Sequence, residues 1–353
     1  LVLLRHTFRK LAGFVLVLGG VVLLVFLLFQ GLGDPARMVA GQTGNAQTLE
    51  NIRKELYLDQ PSWKQFLFYV NDLSPVCVHQ SETIRKKRLQ GFFMGGTYKL
   101  GIKIPYLRNS YQSKKPVAQL LVEALPGTIL LAFSALLLAT VLGMLLGTLA
   151  ALRKGTWLDG GALFLSVIGI SGPSFLLAIL IAYFFGIYLH NWTGLSFTGS
   201  WMEVDEVTGE RVLGLRNLIL PALTLGIRPM AIIAQLTRSS LLDALSQDYV
   251  RTAFAKGLAK RTVIFRHALP NALNPVITSV TGWLAELLAG SFFVEYIFGW
   301  RGIGKVTVDA LEKLDYPVVM GAVLLSALIF IFINMLTDRL YGILDPRVRD
   351  GAI

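Results

Sequence analysis

Residues 299–306 read GWRGIGKV and match the G-x-x-x-x-G-K spacing of a loop that cradles phosphate. Such a loop needs a Ser or Thr after its lysine to hold magnesium, and Val306 stands there instead. The segment before it is an apolar run, not a strand of a nucleotide-binding sheet. The glycines are therefore expected to form a tight turn. Metal chemistry lacks donors too. Cys77 is the single cysteine, so no CxxC pair or intramolecular disulfide can form, and His6, His79, His190 and His267 show no ligand spacing. No metal and no cofactor is expected in this chain. Glu286 lies in the middle of an apolar stretch, where an acid is costly and faces a bundle interior or water. It is expected to line a polar path and attract a cationic group; the structural alternative is a pair with Arg228.

Residues 169–172, GISG, resemble the Gly-x-Ser-Gly of rhomboid intramembrane proteases. A nucleophilic serine needs a base within hydrogen-bond reach. The later apolar segments contain no histidine, and His267 lies in a polar link. Ser171 thus reads as a packing or backbone-bonding residue beside Pro173, and as a second candidate, with Glu286, for lining a path.

The chain that carries these residues has 353 positions, 54% of them hydrophobic and only 16% charged. Soluble domains average about 25% charged residues, so the shortage points to lipid. The net charge of +11 sits mostly beside apolar segments, which fits the positive-inside rule rather than nucleic acid. A membrane span needs about 20 mostly apolar residues. Six stretches qualify, at 11–29, 124–152, 162–189, 215–236, 272–294 and 317–336. The first follows Arg5, His6, Arg9 and Lys10 as a signal peptide would, but its run is longer than a signal core of about 7–15 residues. It is expected to be a retained anchor. Arg153, Lys154, Arg238, Arg251, Lys256, Lys260, Arg261, Arg266, Arg339, Arg347 and Arg349 then fall on the same side as the start. That side is expected to be cytoplasmic, with both termini. The fold class that follows is an all-α integral membrane protein with six transmembrane helices. The division is an anchor at 1–30, an external region at 31–123 and a core at 124–353.

The external region is too long for a simple connection. Leu49, Ile52 and Leu56, then Trp63, Phe66, Leu67 and Val70, have helical spacing, with Pro61 placed to start the second helix. Residues 95–117, rich in Gly and Tyr, are expected to be irregular. The region reads either as a structured cap or as a docking surface for an external partner.

The link at 237–271 is polar, basic and patterned. Leu241, Leu242, Leu245, Tyr249, Ala253 and Phe254 predict one helix over 239–257. Gly257 can end it with positive φ. A second short helix over 260–269 would place Val263, Ile264 and His267 together, and Pro270 and Pro275 would mark the return to the membrane. This elbow reads either as basic helices resting on lipid headgroups or as a dock for a cytoplasmic protein.

Ala253, Gly257 and the later Leu269-Pro270 resemble the EAA loop of ABC-importer permeases. The triplet Arg251-Thr252-Ala253 departs from Glu-Ala-Ala, and His267 replaces an Ile. DYVRTAFAKGL and HALPNALNPV are, however, similar to the dipeptide/oligopeptide branch. GDPARMVAG (33–41), IRKELYLDQPSWKQFLFYV (52–70), LPGTILL (125–131), SGPSF (171–175), FVEYIFGWRGIG (293–304), DYPVVMGAVLL (315–325) and NMLTDRLYGILDPRVR (334–349) resemble the B-type subunit in order. The resemblance implies a type I importer permease fold in a bacterial cytoplasmic membrane. It implies that Asp248, Tyr249, Arg251, Thr252, Ala253, Ala255, Lys256, Gly257, Leu258, His267, Leu269 and Pro270 form the coupling site. It also implies two ABC ATPases that bind ATP and Mg, a second permease in a heterodimer, and an external substrate-binding protein. The permease itself would catalyse no bond chemistry. Di- and oligopeptides are the expected cargo, with nickel chelates or glutathione as alternatives. A secondary transporter driven by an ion gradient is the rival class, though no inverted repeat or chain of intramembrane acids supports it.

Overall fold

The structure, a computed structural model, describes residues 2–31, 36, 50, 53, 57–204, 209–289 and 291–344. The expected helix through Leu49, Ile52 and Leu56, the segment 33–41 and the basic residues Arg347 and Arg349 lie outside the described residues, except for Ala36. Along the chain run α1 (Val2–Gly31), α2 (Ser62–Leu73), β1 (Val76–Gln80), α3 (Ser81–Lys87), β2 (Gly91–Gly95) and β3 (Tyr98–Lys103). Then come α4 (Val117–Leu152), α5 (Trp157–Ser171), α6 (Ser174–Tyr183), β4 (Met202–Val204), β5 (Arg211–Leu213) and α7 (Ile219–Leu245). The chain continues through α8 (Asp248–Ala255), α9 (Asn274–Ala289), α10 (Phe292–Ile297), α11 (Ile303–Glu312) and α12 (Tyr316–Leu344). It divides into two compact units, Leu1–Glu123 with Val306–Leu328, and Ala124–Lys305 with Ile329–Ile353.

The fold is mostly helical but not all-α. Among the described residues two antiparallel sheets form, β1-β3-β2 and β4-β5. The stretch expected to be irregular at 95–117 contains β3. Its period-two alternation, Tyr98, Leu100 and Ile102 against Lys99, Gly101 and Lys103, is a strand signal that its Gly and Tyr content obscured. Among the described residues, three helices are long and apolar enough to cross a membrane: Val117–Leu152, Leu215–Leu245 and Tyr316–Thr337. The stretch 162–189 is not one continuous helix. It breaks between α5 and α6 with a 111° bend, and the two halves together qualify as a further crossing. Pro173 causes the break, because it has no N–H to donate and serves as the N-cap of α6. The apolar core of α1, Gly13–Leu28, and the 16-residue α9 are shorter than a full span.

In the first unit, Val25 and Phe26 of α1 pack with Tyr69 of α2 and with Tyr316, Met320 and Leu324 of α12. Pro61 caps α2, as its fixed φ suits. The stripe predicted for α2 is split. Phe66 faces this core with Tyr69, while Trp63, Leu67 and Val70 are exposed. The reason is Asp72, which takes an inward position, 1% exposed, and gathers cations around it. Lys87 Nζ donates to both of its carboxylate oxygens at 2.6 and 2.9 Å. Arg108 approaches to 3.8 Å, and Lys103 Nζ donates to the Asp72 carbonyl oxygen. Burial lowers the pKa of Lys87, and the Asp72 carboxylate opposes that shift. Asp315 precedes α12 and is buried. Its carboxylate accepts from Ser110 Oγ at 2.5 Å and from the Tyr111 N–H at 2.9 Å, so the loop before α4 is tied to the start of α12.

In the second unit, α4 and α7 meet backbone to backbone. A Cβ at Gly143 would lie 2.8 Å from the Met230 carbonyl oxygen, and one at Gly147 would collide with that of Ala234. Ala135, Leu131 and Leu136 of α4 join Ala222 of α7, Leu287 and Leu288 of α9, and Trp300 in one core. Glu295 on α10 is fully buried. Its Oε1 accepts from Thr128 Oγ1 at 2.9 Å and Ser291 Oγ at 2.7 Å. Its Oε2 accepts from the N–H groups of Gly304 at 2.7 Å and Lys305 at 3.2 Å. Burial pushes the carboxyl pKa up, and these donors oppose it. The turn at GWRGIGKV is therefore clamped to a carboxylate and to α4, a role in which phosphate has no part.

Two outcomes follow. Glu295→Ala strands these donors, and each buried unsatisfied group costs about 1–3 kcal/mol. Thermal unfolding of the purified protein is expected to show a loss of at least ~3 kcal/mol, with Glu295→Gln intermediate because one acceptor remains. An Ala variant as stable as the parent would remove the clamp from the account. Asp72→Ala uncovers paired buried cations, a change worth about 3–5 kcal/mol. Limited proteolysis is expected to open the region 57–115 at least tenfold faster; an unchanged rate would show that Asp72 does not hold it.

Candidate functional site

The elbow is built on the end of α7. Residues 239–245 continue that helix rather than start a new one, so the single helix expected over 239–257 does not form. The chain turns at Ser246-Gln247, and Asp248–Ala255 makes a separate eight-residue helix, α8. Gln247 has extended backbone at φ −75 and ψ 151, which ends helical propagation.

α8 buries two side chains, Val250 and Ala253. They enter a cluster with Leu241 and Ala244 of α7, Ala151 of α4, Val263, Ala268 and Ala272. Five of these eight are alanines. Small side chains let helix axes approach and leave little slack at the contact. Ala253 is thus placed by packing: a larger residue would push α8 off the cluster. Gly257 has φ +75. Its N–H bonds to the Phe254 carbonyl at 2.9 Å, and the Leu258 N–H bonds to that of Ala253 at 3.4 Å. This is a left-handed helix end that favours glycine.

Everything else on α8 faces outward. Asp248, Tyr249, Arg251, Thr252, Phe254 and Ala255 are exposed, as are Lys256, Gly257 and Leu258 just after it. Among them Tyr249, Phe254 and Leu258 are each about two-fifths exposed, at 41, 43 and 39%. A short helix that buries Val250 and Ala253 and presents Tyr249 and Phe254, with Leu258 just beyond its end, has an outer face suited to a partner. The second arm runs through Lys260–Thr262, a π-helical stretch Val263–Ala268 and Leu269–Ala272. Val263 and Ile264 are buried and His267 is half-buried. Pro270 does not end this arm. It sits in the first turn of Leu269–Ala272, where the missing N–H costs nothing.

Arg238, read in the sequence as one of a row of basic residues, has a specific partner. Its Nε and Nη2 donate to the two carboxylate oxygens of Asp159 at 2.5 and 2.9 Å. Asp159 also accepts from the Gly155 N–H at 2.9 Å. This two-point pair ties α5 to α7 about two turns before the end of α7. Sequence reasoning missed it, and it missed the Thr128–Glu295 clamp. The signal for the clamp was present: both residues lie inside motifs quoted for another reason, LPGTILL and FVEYIF.

The path candidates are also placed. Glu286 is exposed on α9, and no ion pair between it and Arg228 occurs among the described residues. The Arg228 guanidinium instead lies 5.8 Å from the Trp283 ring centroid. Asn274, Thr278, Gly282 and Glu286 recur every fourth residue, and all are exposed. That is a polar stripe on one face of an apolar helix. Ser171 is exposed at the break between α5 and α6. Ser171 and Glu286 lie on different helices and share no hydrogen bond among the described residues. The elbow residues are brought together; these two are not.

Comparison with known proteins places this geometry. The model of the binding-protein-dependent transport system inner membrane component matches residues 143–350. That of the N-terminal part of such membrane components matches residues 3–132. The glutathione transport system permease protein GsiC of Escherichia coli strain K12 is 35% identical over 348 residues, 98% of this chain and 99% of that protein. Its counterpart in Shigella flexneri serotype 5b is 34% identical over the same coverage. An inward-facing structure of the MetNI methionine ABC transporter aligns with a TM-score of 0.50 at 18% identity, over 65% of this chain and 97% of that one. That likeness shows the fold, a type I importer permease. The chain belongs to the inner membrane component family of binding-protein-dependent transport systems, and is a permease subunit of an ABC importer.

Proposed function

We propose that the chain forms one half of the translocation path for short peptides in a bacterial cytoplasmic membrane, and that its elbow receives force from an ATPase. In this reading the membrane is crossed six times, by α1, α4, the bent α5–α6 pair, α7, α9 and α12, with both termini in the cytoplasm. A second, different permease completes the path. Two ATPases bind ATP and Mg below it, and a substrate-binding protein delivers cargo from outside. The observation that carries the reading is α8: its inner face is locked by alanines and its outer face exposes Tyr249 and Phe254 among polar side chains. The full-length similarity to GsiC supports a peptide cargo and favours glutathione, itself a tripeptide, as a second reading.

The residues proposed for coupling divide by role. Val250, Ala253 and Gly257 fix the helix. Tyr249, Phe254 and Leu258 supply apolar contact, and Asp248, Arg251, Thr252 and Lys256 supply polar contact around it. Closure of the ATPases would push this face, and the tight seat would pass the motion into α7. His267, Leu269 and Pro270 hold the second arm. Glu286 heads the polar stripe of α9 and would attract the amino terminus of a peptide. Ser171, at the helix break, would offer its hydroxyl to the same path.

A tagged protein purified in mild detergent from its native membrane is expected to bring two ABC ATPases and a second permease. Phe254→Asp with Arg251→Glu, both at exposed positions, is expected to reduce ATPase recovery and peptide uptake at least tenfold while leaving thermal stability unchanged. Full ATPase recovery with the double variant would move the dock elsewhere; a parent protein that runs alone would sink the importer assembly. The second outcome concerns cargo. One charge pair in a wet path is worth about 1 kcal/mol, or about fivefold. Glu286→Gln is expected to lower uptake of peptides with a free amino terminus by about that factor relative to N-acetylated ones. An unchanged ratio would take Glu286 out of recognition.

A further inference from the structure

The sheet β1-β3-β2 has two faces of opposite character. The inner one holds Cys77, His79 and Lys103, all buried. The outer one is apolar in two complete rows. Ile102 pairs with Val76 on one side and Phe92 on the other, and Leu100 pairs with Val78 and Met94. All six side chains are between 50 and 72% exposed. Tyr98, 64% exposed, extends the middle strand, and its hydroxyl accepts a hydrogen bond from Gln80 Nε2 at 2.9 Å. Gln80 is the polar side chain of this face, and no charged side chain sits on it among the described residues.

The size of the face sets the first constraint. Its exposed area is on the order of 800 Å², above the ~300–600 Å² of the largest patch on a typical monomer. It equals the ~800 Å² that each partner gives to a standard stable interface. Chemistry then separates the occupants. Lipid is disfavoured on two grounds. β1 and β2 are edge strands; Asn71 bonds the outer N–H and C=O of Val78 on β1, whereas β2 has no further strand beside it among the described residues, and open sheet edges do not enter hydrocarbon. Surfaces that rest on headgroups also combine apolar with basic side chains, and this face has no basic one. A soluble delivery protein that docks and leaves needs a mixed, polar contact. Uncharged apolar faces belong to interfaces that stay closed.

We infer that this sheet face is the permanent seat of an uncharged, apolar segment of the second permease subunit. The inference rests on the permease pairing proposed above. It gives the region at 57–115 a role in holding two permeases together, independent of cargo and of nucleotide.

The test uses the whole complex, purified through a tag on an ATPase, with photoreactive benzoylphenylalanine in place of Tyr98 or Leu100. Irradiation is expected to join this chain to the second permease, equally without nucleotide and with the ATPases trapped by vanadate and ATP. Crosslinks to the binding protein, to lipid, to a second copy of this chain or to its own residues 32–56 would each overturn the inference. As an independent reading, Leu100→Lys with Met94→Lys, both at exposed positions, is expected to lower recovery of the second permease at least tenfold. Unchanged recovery would overturn it as well. If the parent complex contains a second permease and the crosslink goes elsewhere, the sheet assignment alone falls. If the parent complex contains none, the pairing falls with it.

Discussion

The second unit depends on the distance of closest approach between α4 and α7. Gly143 and Gly147 remove the side chains that would hold these helices apart, so backbone meets backbone at Met230 and Ala234. Apolar packing between helices gains little from water exclusion in lipid, so close van der Waals contact has to supply the association. Once α7 is fixed, it positions the rest. Its first two turns meet α9 and Trp300 in the main core. Its Arg238 grips Asp159 of α5. Its last turn supplies Leu241 and Ala244 to the seat of the elbow.

That arrangement is what suits a short polar link to the proposed coupling role. A helix as short as α8 has little stability of its own in water, so its order derives from Val250 and Ala253 in the alanine cluster. The same tightness that orders it leaves it no freedom to slide on α7. In the proposed coupling role, force on its outer face would be delivered to the end of a long helix, and the Asp159–Arg238 pair would pass part of it to α5. The break at Pro173 lies at the far end of α5, and α9 packs against α7, so a change of tilt would be expressed there as a change in the proposed path.

How much of this was legible depended on the kind of signal. The stripe Ala135, Ala139, Gly143, Gly147, Ala151 announces a close helix contact, because small residues at four-residue spacing share one face. Gly257 was legible because a helix end with positive φ has a residue preference. The break after Ser171 was written in Gly172-Pro173 but was overridden by an apolar run that reads as a single span. The boundary between α7 and α8 was hidden, since residues 239–245 and 248–254 keep nearly the same apolar rhythm across the turn. β3 was masked by the Gly and Tyr of 95–117, and the burial of Asp72 carries no sequence signal, because an acid is rarely buried unless cations surround it. The Glu295 clamp joins residues 167 positions apart in the chain, which periodicity cannot reveal.

The most direct test of the account is the distance between the elbow and α7 while the ATPases turn over. Spin labels at Thr252→Cys and Ser239→Cys, in a Cys77→Ser background, would report it by pulsed electron resonance in the assembled transporter. The account predicts one narrow distance, the same without nucleotide and with ATP trapped by vanadate, alongside a changed distance between Thr252→Cys and the matching elbow of the second permease. An elbow-to-α7 distance that shifts or broadens when ATP binds would contradict it, because the elbow would then be a hinge and not a rigid coupling to the helix.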